Sequence, residues 1–255
     1  MKFVMKQEKL EELLEKLIVK DIFPSAIITV KDGSLFSIQK EEHARALRFL
    51  LVKETFFDEI ESKGAETIEL DVERTLNTVK NILPSTVLTF ETKGNKVSIK
   101  GKNVNANISY RDPESDVLTN LKDAKIDIIE GVPHVGDSKL PLDINLEVEL
   151  SDFKDLAGYA SSLKTEFYKF YFDGAKLAVR IGDLHDFSDY VIYNPKTKII
   201  TGTELAVIFT YGVPQVADTF RKSVKISTKT NAPAWIYESD EHYTLGILIP
   251  PYVVD

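Results

Sequence analysis

Carboxylates are the most abundant reactive groups in this chain, and two adjacent pairs, Glu41-Glu42 and Asp240-Glu241, could in principle hold a divalent cation. With 40 acidic residues, such neighbours arise by chance and belong to ordinary solvated surface. The histidines His43, His134, His185 and His242 are scattered and form no HxxxH or HxH spacing, so no histidine metal site is assigned. The absence of cysteine removes disulfides, thiolate zinc sites and cysteine nucleophiles together. No Walker loop, GxSxG, Rossmann glycine pattern, HExxH or DxDxDG occurs. These residues describe a binding protein rather than an enzyme, with no catalytic residue, no metal and no cofactor.

The other chemistry open to the side chains is phosphate contact, which needs lysine and arginine gathered on one face. A net charge of -8 argues against a generally sticky polyanion binder and leaves room for a local basic face on an acidic body. Helical periodicity says which residues share a face. In "EKLEELLEKL", Leu10, Leu13, Leu14 and Leu17 form one stripe, with Glu8, Glu12 and Glu15 opposite and Lys9 and Lys16 on a flank. Further stripes are Val72, Leu76, Val79 and Leu83; Phe153, Leu156, Ala157, Ala160 and Leu163; and Val213, Val216, Ala217 and Phe220. Each is narrow, as for a helix lying on a sheet with its other side towards something polar.

The elements around these helices are written twice. A helix, "KLEELLEKLIVKD", leads to "SAIITV", the turn Asp32-Gly33 and "LFSI"; later "SDFKDLAGYASSL" leads to "EFYKFYF", the turn Asp173-Gly174 and "KLAVRI". Each copy continues through strands, a second helix ("DVERTLNTVKNIL", "GVPQVADTFRKS") and a hairpin ("TVLTFETKGNKVSIKG", "VKISTKTNAPAWIYE"). Between the copies, "KIDIIEGVPHVGDSKLPLD" carries prolines and glycines without helical period, as a linker does. The expected fold is α+β: similar domains over residues 1–124 and 144–255, each with two helices on antiparallel sheets, joined by a connector over 125–143. No apolar run is long enough to span a membrane, and charge within "MKFVMKQEKL" interrupts any secretory signal. The expected location is therefore cytoplasmic, or nuclear in a eukaryote.

This order of elements resembles the sliding clamps of the proliferating cell nuclear antigen (PCNA) family, of archaeal and eukaryotic type. The resemblance covers essentially the whole chain. "LFSIQKEEHARALRFLL" is similar to the segment preceding the family's long strand, with Lys40 where the family has Asp. "IIEGVPHV" looks like the connector loop, and "APAWIYESDEHYTLGILIPPYVVD" looks like the end of the clamp and its short tail. The resemblance implies a DNA clamp fold and a non-enzymatic processivity factor in DNA replication. It implies a ring, a homotrimer or mixed trimer, that encircles double-stranded DNA without sequence preference. Its partners would be a clamp loader and polymerases or other replication proteins bearing a short apolar and aromatic docking motif.

Position by position, the resemblance implies a partner pocket of Ile38, Ile129, Val132, Pro133, Pro233, Ile247, Leu248 and Pro250. It implies subunit edges at Asp116 to Lys122, with Val117 and Leu118, and at Asp186 to Tyr193, with Tyr190, Val191 and Ile192. The DNA-facing cations would be Lys9, Lys16, Arg74, Lys80, Lys154, Lys164, Arg221 and Lys222. Against this stand the acidic face Glu8, Glu12 and Glu15 of the first helix, where the resemblance sets Glu11 and Glu12 at positions that are often basic in the family, and Asp155 and Gly158 on the third, where the family tends to carry basic residues. Two readings stay open: a working clamp, or a clamp-fold interaction protein, a regulator or subunit of a mixed ring, that does not encircle DNA alone.

Overall fold

The structure is a computed structural model, and it describes residues 1–18, 25–40, 47–113, 126–129, 132–135, 144–165, 167–182, 189–202, 204–210, 217, 219–229 and 233–249. The chain forms two compact units, Met1–Gln39 with Arg48–Ala124 and Ser239–Leu245, and Lys40–Leu47 with Lys125–Glu238 and Gly246–Asp255.

In the first unit the order is β1 (Lys2–Lys6), α1 (Gln7–Leu17), β2 (Ser25–Lys31), β3 (Ser34–Lys40), β4 (Leu47–Val52), β5 (Glu59–Glu61), β6 (Glu66–Asp71), α2 (Val72–Lys80), β7 (Val87–Lys93), β8 (Lys96–Gly101) and β9 (Val104–Ser109). One antiparallel sheet runs β5-β1-β7-β8-β9; the strands β6, β2, β3 and β4 follow one another in a second. The unit also takes in the start of β20 (Tyr243–Ile249), whose strand borders β4. The β2–β3 connection is tight because Asp32 (φ 50°) and Gly33 (φ 74°) both take the left-handed conformation that a two-residue hairpin turn requires.

The core of this unit follows strand alternation and the leucine stripe. Leu10, Leu13, Leu14 and Leu17 are buried with Met5, Phe3 and Phe90, and the Phe3 and Phe90 rings stack 4.2 Å apart. Asp71 caps α2 by accepting from the Arg74 N–H at 2.9 Å. Leu83, expected on the buried stripe of that helix, is 75% exposed. The helix ends at Lys80, Asn81 leaves helical geometry, and Pro84 follows, so the period that would have buried Leu83 stops and Ile82 turns inward instead.

In the second unit the order is β10 (Ile126–Ile129), β11 (Val132–Val135), β12 (Ile144–Val148), α3 (Leu150–Leu163), β13 (Phe167–Phe172), β14 (Leu177–Gly182), β15 (Tyr190–Tyr193), β16 (Thr197–Thr201), β17 (Leu205–Thr210), β18 (Val224–Thr228), β19 (Ala234–Ser239) and β20. The strands run β16-β12-β18-β19-β20 in one sheet and β15-β14-β13-β17 in another. Phe153, Leu156 and Ala160 of α3 are buried, whereas Ala157 and Leu163 are only half-buried. The connector, read as irregular, carries an antiparallel pair, β10 with β11, in which Ile129 faces Val132. Of the helix expected over residues 212–223, residues 212–216 and 218 lie outside the described residues; Ala217 is helical, but Thr219 to Ser223 are not, although Ala217 and Phe220 are fully buried as the expected stripe requires.

Candidate nucleic-acid interface and subunit edges

In the first unit α1 and α2 lie side by side, because the Gln7 amide at the start of α1 donates to the Val79 carbonyl near the end of α2 at 3.2 Å. The cations expected on this face have different surroundings. Arg74 is exposed on α2 and has no ion-pair partner among the described residues. The Lys80 ammonium lies 3.3 Å from the Glu15 carboxylate of α1. Lys9 donates to the Phe56 carbonyl at 2.9 Å and approaches Asp58 at 3.8 Å.

Lys16 does not present its charge to solvent. It is 2% exposed, with its ammonium 3.3 Å from Glu12 and 4.0 Å above the centre of the Tyr243 ring. Its placement on the polar flank of α1 followed from helical period, but the N-terminal part of β20 covers that flank. The acidic residues fare differently. Glu8 is exposed, and its own backbone N–H and Ser85 hold its carboxyl below the usual carboxylate range. The exposed face of α1 is therefore acidic.

In the second unit Lys154 is exposed on α3, and Lys164 is exposed at its C-cap in the left-handed conformation. Asp155 accepts from the Tyr193 hydroxyl at 3.1 Å, and Asp152 accepts from the Lys196 N–H at 2.5 Å, so both carboxylates tie α3 to β15 and the chain after it. Burial, then Asp155, push the Tyr193 phenol above its ordinary pKa. Arg221 and Lys222 are exposed, and their backbone N–H groups donate to one oxygen of Glu238 at 2.7 and 2.9 Å. Glu238 is fully buried. It positions the turn carrying two candidate DNA cations, and nothing in a strand-like "AWIYES" signals that role.

The expected pocket residues are spread over both units. Ile38, on β3 of the first unit, is 5% exposed; Ile247, on β20 of the second, is 1% exposed. Leu248 and Pro233 are half-buried. Ile129, Val132 and Pro133 stand on β10 and β11, and their side chains, like the whole of Pro250, lie outside the described residues.

Of the expected subunit edges, Val117 and Leu118 lie outside the described residues, while Tyr190, Val191 and Ile192 form β15 at the edge of its sheet. Tyr190 is 48% and Ile192 57% exposed. In the first unit one edge of the five-stranded sheet is β9, a strand not assigned from the sequence although "VNANIS" alternates apolar and polar residues; the other edge is the three-residue β5. By position in the repeat, β9 corresponds to β20 and β15 to β4. Those equivalents border one another, whereas β9 and β15 are both sheet edges.

The acidic pair Asp240-Glu241 sits in the β19–β20 turn, where Asp240 accepts from the His242 and Tyr243 N–H groups at 2.7 and 2.9 Å. Glu41-Glu42 lies outside the described residues. Among the described residues no group of three or more His, Asp or Glu side chains is arranged to hold a metal ion. No helix among them is long and apolar enough to cross a membrane.

No protein-family model matches the chain, and no curated protein matches it. Solved structures do. PCNA of A. fulgidus, solved with the C-terminal region of FEN-1, aligns over 100% of this chain and 99% of its own, with TM-score 0.76 and 15% identity. PCNA of Entamoeba histolytica aligns over 99% and 98%, with TM-score 0.78 and 13% identity. This chain has the PCNA clamp fold. PCNA of Thermococcus kodakaraensis agrees, over 98% and 99%, with TM-score 0.75 and 14% identity. The A. fulgidus clamp is solved bound to the C-terminal region of FEN-1.

Proposed function

We propose that the chain is a DNA sliding clamp, a processivity factor that closes into a ring around duplex DNA and tethers replication proteins. The observation that carries this reading is the pair of sheet edges, β9 in the first unit and β15 in the second. They hold the repeat positions of β20 and β4, so joining β9 of one copy to β15 of the next repeats a pairing the chain already makes, and repetition of one such head-to-tail contact generates a ring when its rotation closes. The DNA-facing cations would be Arg74 first, then Lys80, Lys9, Lys154, Lys164, Arg221 and Lys222, with Lys16 contributing through packing. The partner pocket would use Ile38, Ile129, Val132, Pro133, Pro233, Ile247, Leu248 and Pro250. A clamp loader, polymerase and other replication proteins are the partners this function requires.

The test is retention on closed circular DNA. A clamp stays on a closed circle after loading or ring opening, and it runs off once the circle is cut. Light scattering should report a ring-sized oligomer rather than a monomer. A stable monomer that is never retained would overturn the proposal.

The acidic face of α1 and the engagement of Lys80 by Glu15 favour a second reading, an interaction protein or mixed-ring subunit of clamp fold that does not encircle DNA alone. Such a protein would bind replication partners through the connector pocket without DNA dependence. Charged substitutions at Ile129 and Ile247 test that pocket under either reading, and unaffected partner binding would rule the pocket out.

A further inference from the structure

The four-stranded sheet of the second unit has an outer face unlike the rest of this acidic chain. Along β13 the even positions Tyr168, Phe170 and Phe172 are buried, so Phe167, Lys169 and Tyr171 point to the other side. On β14 that side carries Ala178 and Arg180, and on β15 Tyr190 and Ile192. The strand register arranges these residues in rows. Tyr171 pairs with Ala178; Lys169, Arg180 and Ile192 lie across one another; Tyr190 pairs with Gly182. Rows two residues apart are about 7 Å from one another.

The face therefore reads ring, cations, ring along its length. The Lys169 ammonium lies 4.9 Å from the centre of the Tyr171 ring, and the Arg180 guanidinium 4.4 Å from that of Tyr190. Tyr171 is 37% exposed, Tyr190 48% and Ile192 57%. Gly182 lets the second ring sit where it does, because a Cβ there would come within 2.8 Å of the Tyr190 Cβ. No Asp or Glu stands at a described strand position on this face; Asp173 lies in the turn beyond one end, Glu204 just before β17 and Asp189 just before β15. The five-stranded sheet of the first unit is different, since its β1 and β7 row places Lys2 against Glu61 and Glu91, with Lys2 bonded to Glu59 at 2.8 Å. That is an ordinary solvated ladder of paired charges.

We infer that the outer face of the β15-β14-β13-β17 sheet is a binding platform for single-stranded nucleic acid. Bases would stack on Tyr171 and Tyr190 while the phosphates between them meet Lys169 and Arg180. Exposed aromatic faces with interleaved cations are what sequence-tolerant single-strand binding uses. An acidic peptide would satisfy the cations, but it would leave two rings, four residues apart along the strands and two strands apart across them, about 17 Å from one another with no matching repeat in an irregular chain. The site does not use the helices, but Tyr190 and Ile192 stand on the β15 edge that the clamp reading joins to a neighbouring copy, whereas Tyr171, Lys169 and Arg180 lie on the inner strands.

The test is fluorescence anisotropy of the full chain with labelled oligothymidylate of roughly 20 nucleotides, longer than one such platform needs. Binding should be measurable at low salt and should weaken as salt rises. Tyr171→Ala should weaken it about tenfold, whereas Tyr171→Phe, which keeps the ring, should not. Lys169→Gln should reduce the salt slope by about 0.7. Arg74→Gln should leave the oligonucleotide unaffected, and Tyr171→Ala should leave retention on circular duplex unaffected. Far-UV circular dichroism checks that each variant is folded. Absent binding by the unmodified chain at low salt, or equal binding by Tyr171→Ala and Tyr171→Phe, would overturn the inference. So would an acidic, aromatic-bearing peptide displaced by these substitutions where the oligonucleotide is not.

Discussion

The Lys80 ammonium of α2 lies 3.3 Å from the Glu15 carboxylate of α1, so a cation suited to phosphate contact is held by the neighbouring helix. Both side chains are partly exposed, at 44% and 35%, and such a pair contributes only about 0–1 kcal/mol to stability. Its effect on the field around the helices is larger than its effect on folding. Glu15→Gln should therefore leave the melting temperature nearly unchanged while strengthening DNA retention and steepening its dependence on salt. Retention assays at two salt concentrations check this, and an unchanged salt slope would mean that Lys80 does not meet DNA.

Arg74 and Lys16 separate exposure from sequence position. Both were expected to face DNA, but Arg74 is exposed and Lys16 is 2% exposed beneath Tyr243. Arg74→Gln should lower the slope of log affinity against log salt by about 0.9, the contribution of one duplex phosphate contact. Lys16→Gln should leave that slope unchanged and lower stability instead, because it removes the ammonium from the ring and from Glu12. Parallel salt titrations and thermal melts distinguish the two residues. Equal slopes for both variants would contradict the assignment.

The contrast between these residues also marks what a sequence can carry. The leucines of α1 were legible because Leu10, Leu13, Leu14 and Leu17 repeat at helical period, and that period alone brings them to one buried side. The repeat of elements was legible from Asp32-Gly33 and Asp173-Gly174, whose glycines both take positive φ, although the first makes a two-residue turn between Lys31 and Ser34 and the second belongs to a four-residue turn between Phe172 and Leu177. Lys16 was not, because its cover comes from Tyr243, near the opposite end of the sequence. Leu83 was misplaced because period says nothing of where a helix stops. Arg48 and Glu238 were invisible for a related reason: a charged residue is buried only where tertiary partners satisfy it, and those partners are distant in sequence.

Val191 on β15 offers a test of the edges. It lies between the exposed Tyr190 and Ile192 and is half-buried on the side facing α3. A charge there would be desolvated on pairing with a second copy, which costs several kcal/mol, while in a monomer it can still reach water. Val191→Glu should shift the oligomer to monomer by light scattering with an unchanged far-UV spectrum. Persistence of the oligomer would show that β15 is not an edge used in assembly.

Arg48 is fully buried in the first unit, and its guanidinium donates to the Lys16 carbonyl at the end of α1 and to the Gln39 side-chain oxygen at 3.3 Å. Burial pushes it down to about 9 from 12.5, so at neutral pH it remains charged, with neutral acceptors as its recorded hydrogen-bond partners. The folded state binds this proton less tightly than the unfolded chain. The cost of burying the charge is therefore complete below about pH 9 and falls as pH rises through it. Arg48→Met, which keeps bulk and removes the charge, should be neutral to about 2 kcal/mol more stable at neutral pH. Its advantage over the unmodified chain should shrink near pH 10, a comparison in which the other titrating groups cancel. Gln39→Leu should do the opposite, costing about 1–3 kcal/mol, because it strands the cation without one of its acceptors. Urea denaturation of the three proteins at both pH values decides the matter. A large loss of stability in Arg48→Met would mean that fastening the end of α1 outweighs the cost of the buried charge.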